Sequence, residues 1–299
     1  MPRHFLDLLD ISAAEARRLI DQSIELNRGE RGGRRPALLS GRTLGLLFEK
    51  PSLRTRVSFE AAIARLGGNA IFLNGKDVGL GVRESVVDFA RVLSQYVDVL
   101  AARTFSHGTV EELARSATIP VINALSDAAH PCQAMADFMT IEELCGPLFG
   151  KKLVFVGDGN NVARSLALVG ALAGVELRVA APDGYQLESL PGVLLTDDPR
   201  EAVAGADAVY TDVWVSMSDD PATTQTRRAT LAGYRIDDAL LDLAAPAAIA
   251  LHCLPAHPGD EITAEVLYGP RQRIWDQAEN RRHAQKALLE WLVSDSTGD

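Results

Sequence analysis

The chemistry of this 299-residue chain can be read from a few short segments. In Ser52-Leu-Arg-Thr-Arg56 a helix is expected to start, because Pro51 and Ser52 are helix-opening residues. The N–H groups of Leu53, Arg54 and Thr55 would be free at that first turn. With the positive end of the helix dipole they would form an anion cradle, to which Arg54 and Thr55 add side-chain donors. Arg103, in Arg103-Thr-Phe, offers another guanidinium. His130-Pro-Cys-Gln133 places an imidazole and a carboxamide three residues apart, so both can face one pocket from a helix start. A neutral His donor beside a Gln amide suits recognition of a carbonyl that carries an NH₂ group. Asp212, after an apolar run, could hold an ammonium group. Cys253, in His252-Cys-Leu-Pro255, is either a small buried hydrophobe or a binding thiol.

Taken singly, each segment has a plainer reading. The cradle could be an ordinary capped helix, Arg103 and Arg281 surface residues, and His130 a helix cap. Val156-Gly-Asp-Gly-Asn-Asn-Val162 resembles a dinucleotide fingerprint, but its third glycine position holds Val162. Asp183, the acidic residue expected further on, sits between Pro182 and Gly184. Asn160 and Asn161 could instead bind a polar substrate.

The elements that must position these residues alternate. Residues 43–48, 70–73, 97–101 and 120–123 read as strands, separated by helical runs at 54–66, 84–96 and 109–116. A long helix over 130–144 ends before Gly146-Pro147. A second series follows, with strands at 152–156, 176–180, 208–211, 248–251 and a short one at 273–275. Its helices are expected at 162–173, 199–204, 237–244 and 279–293, with a polar loop over 219–230. The expected fold is α/β, with two doubly wound parallel-sheet domains joined by helices and a C-terminal helix returning to the first domain. The expected domains are 1–147, 148–278 and the closing helix 279–299. Open parallel sheets gather ligands at the carboxyl ends of their strands, and the reactive residues fall there repeatedly.

Composition narrows the function classes. Hydrophobic residues make up 47% and charged residues 23%, a globular balance. Thirty basic against 40 acidic residues give a net charge of −10, which argues against a nucleic-acid binder. Three cysteines (Cys132, Cys145, Cys253) form no disulfide framework and have no zinc-ligand spacing. The apolar stretches fall short of the roughly 20 residues needed to span a bilayer, and the first residues lack a signal-peptide core. The expectation is a cytoplasmic protein with no membrane partner.

In order along the chain, the segments Ser52–Arg56, Arg103-Thr-Phe, His130–Gln133, Asp212–Met217, His252–Pro255 and Glu279-Asn-Arg281 resemble the aspartate/ornithine carbamoyltransferase family. The resemblance covers nearly the whole chain. His252-Cys253-Leu254-Pro255 and Asp212 with Ser216-Met217 point to the ornithine branch. It implies that Ser52, Leu53, Arg54 and Thr55 hold the phosphate of carbamoyl phosphate, and that Arg103 bridges phosphate and carbamoyl oxygens. It assigns His130 and Arg281 to the carbamoyl oxygen and Gln133 to its NH₂, with Pro131 and Cys132 in the same segment. Asn161, Asp212, Ser216 and Met217 would bind L-ornithine, with Cys253 and Leu254 beside the reacting centre. Arg103, His130, Cys253 and Arg281 would be the catalytic group. The resemblance implies a homotrimer and no metal or organic cofactor. The sequence departs from the family pattern at Leu53, Gly79, Ser218 and the short segment 186–195. Other amine acceptors, such as putrescine or N-acetylornithine, and a nicotinamide-dependent oxidoreductase are the alternatives.

Overall fold

The computed structural model describes residues 2–216 and 219–294. The chain divides into two compact units. One runs up to Met139 and takes in the residues from Asn280 onward; the other is Thr140–Glu279. The last helix, Ile274–Ser294, therefore begins in the second unit and continues in the first.

The first unit is built on a four-stranded parallel sheet of β1 (Thr43–Phe48), β2 (Asn69–Asn74), β3 (Val99–Arg103) and β4 (Val121–Leu125), in the order β2-β1-β3-β4. Central β3 is buried at every position, whereas edge strand β2 is exposed or half-buried throughout. Strands covered on both faces read as continuous apolar runs, which is why these segments were visible in sequence. Order reverses between β1 and β3, and these strands end at Phe48 and Arg103. The β3–β4 register shifts between Ala102 and Arg103. Such an irregularity re-aims a side chain at a strand end.

The second unit carries a five-stranded parallel sheet of β5 (Lys152–Val156), β6 (Glu176–Ala180), β7 (Val193–Thr196), β8 (Ala208–Thr211) and β9 (Ile249–His252), in the order β7-β6-β5-β8-β9. Its reversal lies between β5 and β8. Those strands lead into Gly157–Asn161 and Asp212.

Several expectations need correction. Residues 273–275 are not a strand: Gln272 makes one bridge to Ala250, and a helix begins at Ile274. The closing helix accordingly starts five residues before 279. The segment 219–230 is not a plain loop but holds a 3₁₀ turn, Pro221–Thr223, and a helix, Thr224–Leu231. The helix Ala13–Arg31, capped by Ser12, and the edge strand β7 were not expected.

Candidate active site

In the first unit the helix Leu53–Arg65 starts where the cradle requires it. Ser52 is its N-cap, with an extended backbone and a side chain that accepts from Thr55 N at 3.3 Å. Leu53 is 76% exposed, so a larger or apolar residue is tolerated there while its N–H stays at the helix end. Thr55 is buried, and its Oγ1 accepts from Ser52 Oγ at 3.1 Å and from Arg281 Nη2 at 3.1 Å. Arg281 thus comes from the closing helix to the cradle, a placement that its spacing alone did not disclose.

Arg103 and His130 are also buried. Burial pushes the His130 pKa well below its ordinary value, and the guanidiniums of Arg281 and Arg103 push it further. His130 is therefore neutral near pH 7 and can present one N–H to an oxygen. It precedes the helix Pro131–Cys145, and Pro131 opens that helix without wasting an N–H. Gln133 donates Nε2 to Asp137 Oδ1 at 2.7 Å. Its Oε1 is buried without a hydrogen-bond partner. That fixes the amide flip and leaves an acceptor ready for an N–H. Cys132 points elsewhere: its Sγ donates to Asn123 O at 3.4 Å, and burial pushes the thiol up to about 12. Only the backbone of Cys132 is suited to an anion.

Lys50 was not foreseen. It is buried, with Nζ 4.9 Å from the centre of the Phe105 ring. Burial lowers its pKa, and the charge of Arg103 lowers it further. Its place between a strand end and Ser52 was the available signal.

In the second unit Asp212 follows β8 and is the hub. Its Oδ1 accepts from Val213 N at 2.8 Å and Cys253 Sγ at 2.9 Å, and its Oδ2 accepts from Asn160 Nδ2 at 2.9 Å. Asn161 opens the helix Asn161–Ala173 and is half-buried. Ser216 is exposed, and its N–H donates to Asp219 Oδ2 at 2.7 Å. Arg227, on the Thr224–Leu231 helix, pairs with Asp158 and donates to Trp214 O at 2.8 Å. Met217 and Ser218 lie outside the described residues.

The Cys253-Leu254 turn is held by a buried network. His252 Nδ1 accepts from Leu254 N at 2.8 Å, and Nε2 faces Glu261 Oε1 at 2.9 Å. His257 N also donates to that oxygen at 2.6 Å. Leu254 has φ of 62° and precedes a cis peptide to Pro255. A β-carbon in this left-handed region is strained by about 1–2 kcal/mol, which the network offsets. Asp212, His252 and Cys253 place possible metal-ligand atoms within 4.8 Å of one another. Both ring nitrogens of His252 are already engaged, so it has none to offer a metal.

Two glycines have local explanations. Gly79 caps the short helix Gly75–Val78 at φ 65°, and a β-carbon there would lie 2.9 Å from Arg83 Cβ. Gly159 donates its N–H to Tyr185 O, and a β-carbon on it would collide with Leu187 N. Its lack of a side chain serves this close packing of the 185–187 backbone. A dinucleotide pyrophosphate would need the same close approach.

Residues 3–143 match the model described as "Aspartate/ornithine carbamoyltransferase, carbamoyl-P binding domain". Residues 149–292 match "Aspartate/ornithine carbamoyltransferase, Asp/Orn binding domain". The chain belongs to the aspartate/ornithine carbamoyltransferase family. Among family relatives, it is 50% identical over 311 residues to an ornithine carbamoyltransferase of Acidothermus cellulolyticus, covering 100% of this chain and 99% of the relative. It is 48% identical over 303 residues to that of Methanoculleus marisnigri, covering 98% of both. The solved ornithine carbamoyltransferase of Pyrococcus furiosus superposes with a TM-score of 0.94 at 44% identity, covering 98% of this chain and 97% of that one. The match of the family's two models, one after the other, disfavours the oxidoreductase alternative.

Proposed function

We propose that this carbamoyltransferase moves the carbamoyl group of carbamoyl phosphate to the side-chain amine of L-ornithine, giving L-citrulline and phosphate. The observation that carries the reading is His130: a buried, neutral imidazole next to the charges of Arg103 and Arg281, with Arg281 also bonded to the cradle at Thr55. Neutral donors and fixed cations aimed at one oxygen are what a carbamoyl C=O needs as it gains charge.

In this reading Ser52, Leu53, Arg54 and Thr55 hold the phosphate. Arg103 spans the phosphate and carbamoyl oxygens, and His130 and Arg281 serve the carbamoyl oxygen. Gln133 Oε1 accepts from the NH₂. Pro131 and the Cys132 backbone complete that helix start. Asn161, Ser216 and Met217 serve the ornithine carboxylate, and Asp212 pairs with its α-ammonium. Cys253 and Leu254 lie beside the reacting nitrogen.

The neutral Nδ attacks the carbamoyl carbon, and the C=O electron pair moves onto oxygen. Collapse of that centre re-forms C=O and breaks the bond to the phosphate oxygen, which leaves with the electron pair. Nδ then gives up a proton to phosphate or solvent. Holding both substrates in reacting geometry supplies much of the remaining barrier reduction. The active form is proposed to be a homotrimer acting in the cytoplasm in arginine metabolism. No described helix is long and apolar enough to cross a membrane.

Acceptor choice is tested by kcat/KM for L-ornithine, L-aspartate, putrescine and N-acetylornithine at saturating carbamoyl phosphate. L-Ornithine should exceed the others by at least tenfold. Aspartate would set a second carboxylate near Asp212, putrescine would leave the carboxylate donors unpaired, and N-acetylornithine lacks the ammonium. A higher value for any of the three would reassign the acceptor and leave carbamoyl transfer standing.

A further inference from the structure

Asn160 performs two tasks with the two ends of one carboxamide. It is the N-cap of the Asn161–Ala173 helix, and its Oδ1 accepts from Val162 N at 2.9 Å and Ala163 N at 3.2 Å. These two bonds fix the plane and flip of the amide, so its Nδ2 can point only away from the helix. There it donates to Asp212 Oδ2 at 2.9 Å. The meeting follows from the topology: β5 and β8 are hydrogen-bonded neighbours at the reversal of strand order, and the two residues follow their carboxyl ends.

We infer that Asn160 is a positioning residue for the acceptor, its amide nitrogen holding the Asp212 carboxylate in the orientation that receives the α-ammonium of L-ornithine. The inference rests on the ornithine reading above. The carboxylate is clamped at both oxygens, since Oδ1 already takes Val213 N and Cys253 Sγ. Each carboxylate oxygen has two acceptor sites, so an ammonium can still bind to Oδ2 beside Asn160. Without Nδ2, one end of the carboxylate is released. Binding the ammonium would then have to order it, and the preorganisation would be lost. Asn160 need not touch the substrate to act in this way.

Helix capping and carboxylate positioning separate cleanly by substitution. Ser and Asp are N-caps as good as Asn, so Asn160→Ser and Asn160→Asp both keep the helix start. Asn160→Ser removes the nitrogen donor. Asn160→Asp keeps the shape but sets an oxygen against Asp212 Oδ2, and two carboxylates this close share a proton. Citrulline formation should show KM for ornithine raised about 10- to 100-fold in Asn160→Ser, the worth of a hydrogen bond to a charged group. Its kcat should stay within about threefold, and KM for carbamoyl phosphate and the melting temperature should be unchanged. Asn160→Asp should raise KM for ornithine and add to its pH profile an ionisation that the wild type lacks. Should one variant fail to fold, the other decides. A wild-type KM and pH profile in either folded variant would reduce Asn160 to a cap and overturn the inference. Wild-type enzyme that forms no citrulline would instead defeat the ornithine reading, before any variant is compared.

Discussion

Arg281 Nη2 donates to Thr55 Oγ1 at 3.1 Å across 226 residues of chain, in a buried setting. One contact thereby fixes a closing-helix cation onto the first turn of the helix that forms the cradle. The same Arg281 helps keep His130 neutral. In the proposed reaction, anion holding and carbonyl polarisation would share this one pair.

Arg281→Gln keeps a polar group but removes the charge. Loss of a donor at a developing charge typically lowers kcat by about 10²–10³. That loss is expected here, with KM for ornithine changed less than threefold. Steady-state kinetics with both substrates varied will check it; an unchanged kcat would remove Arg281 from the chemistry.

Inorganic phosphate should inhibit competitively against carbamoyl phosphate. The first turn offers the N–H groups of Leu53 and Arg54 to either anion, while that of Thr55 is taken by the Ser52 cap. Initial-rate inhibition patterns give the answer, and a noncompetitive pattern would place phosphate elsewhere.

Turnover should rise from about pH 7 to 9. An ornithine side-chain amine resembles Lys, with a pKa of about 10.4, so only about one molecule in 2,500 is the neutral nucleophile at pH 7. His130 adds no opposing limb in that range, because its pKa lies well below the ordinary value. A flat profile of kcat/KM for ornithine would contradict a reaction limited by amine attack.

Acid should destabilise the fold before carboxylates titrate. His283 is held down to about 3, chiefly by burial and then by Lys286 and Arg282, and His130 is also lowered. Below about pH 6.5 an unfolded His binds a proton that the folded one does not. The stability is therefore complete above that value and is lost as pH falls, by up to about 1.4 kcal/mol per pH unit for each group. Urea midpoints at pH 7.5 and 5 measure it, and His283→Gln should reduce the difference. An unchanged pH dependence in that variant would show that His283 is protonated in the folded protein.

Much of the sheet framework was legible because its central strands are buried on both faces. β1, β5, β6 and β8 match the expected spans residue for residue. Elements that bury little were less visible. The helix Thr224–Leu231 buries only Leu231, so its sequence carries no apolar period, and edge strand β7 has no buried position. Ile274 belongs to the start of the last helix and is packed in the core of the second unit. In sequence, the apolar Ile274-Trp275 pair after Arg273 reads as a strand. At the site, residue types and strand ends pointed to Arg103, His130, Gln133 and Asp212. Contacts made across long sequence separations were hidden: Asn160 to Asp212, and the arrival of Arg281 at Thr55. The cap role of Asn160 can be read locally, but its partner 52 residues away cannot.

The most direct test of carbamoyl transfer is product identification from ¹³C-labelled carbamoyl phosphate and L-ornithine, with purified protein and released phosphate measured in parallel. Labelled L-citrulline and phosphate should form in equal amounts, and Arg103→Ala should abolish both. Phosphate release without citrulline, or citrulline formation undiminished in Arg103→Ala, would contradict it.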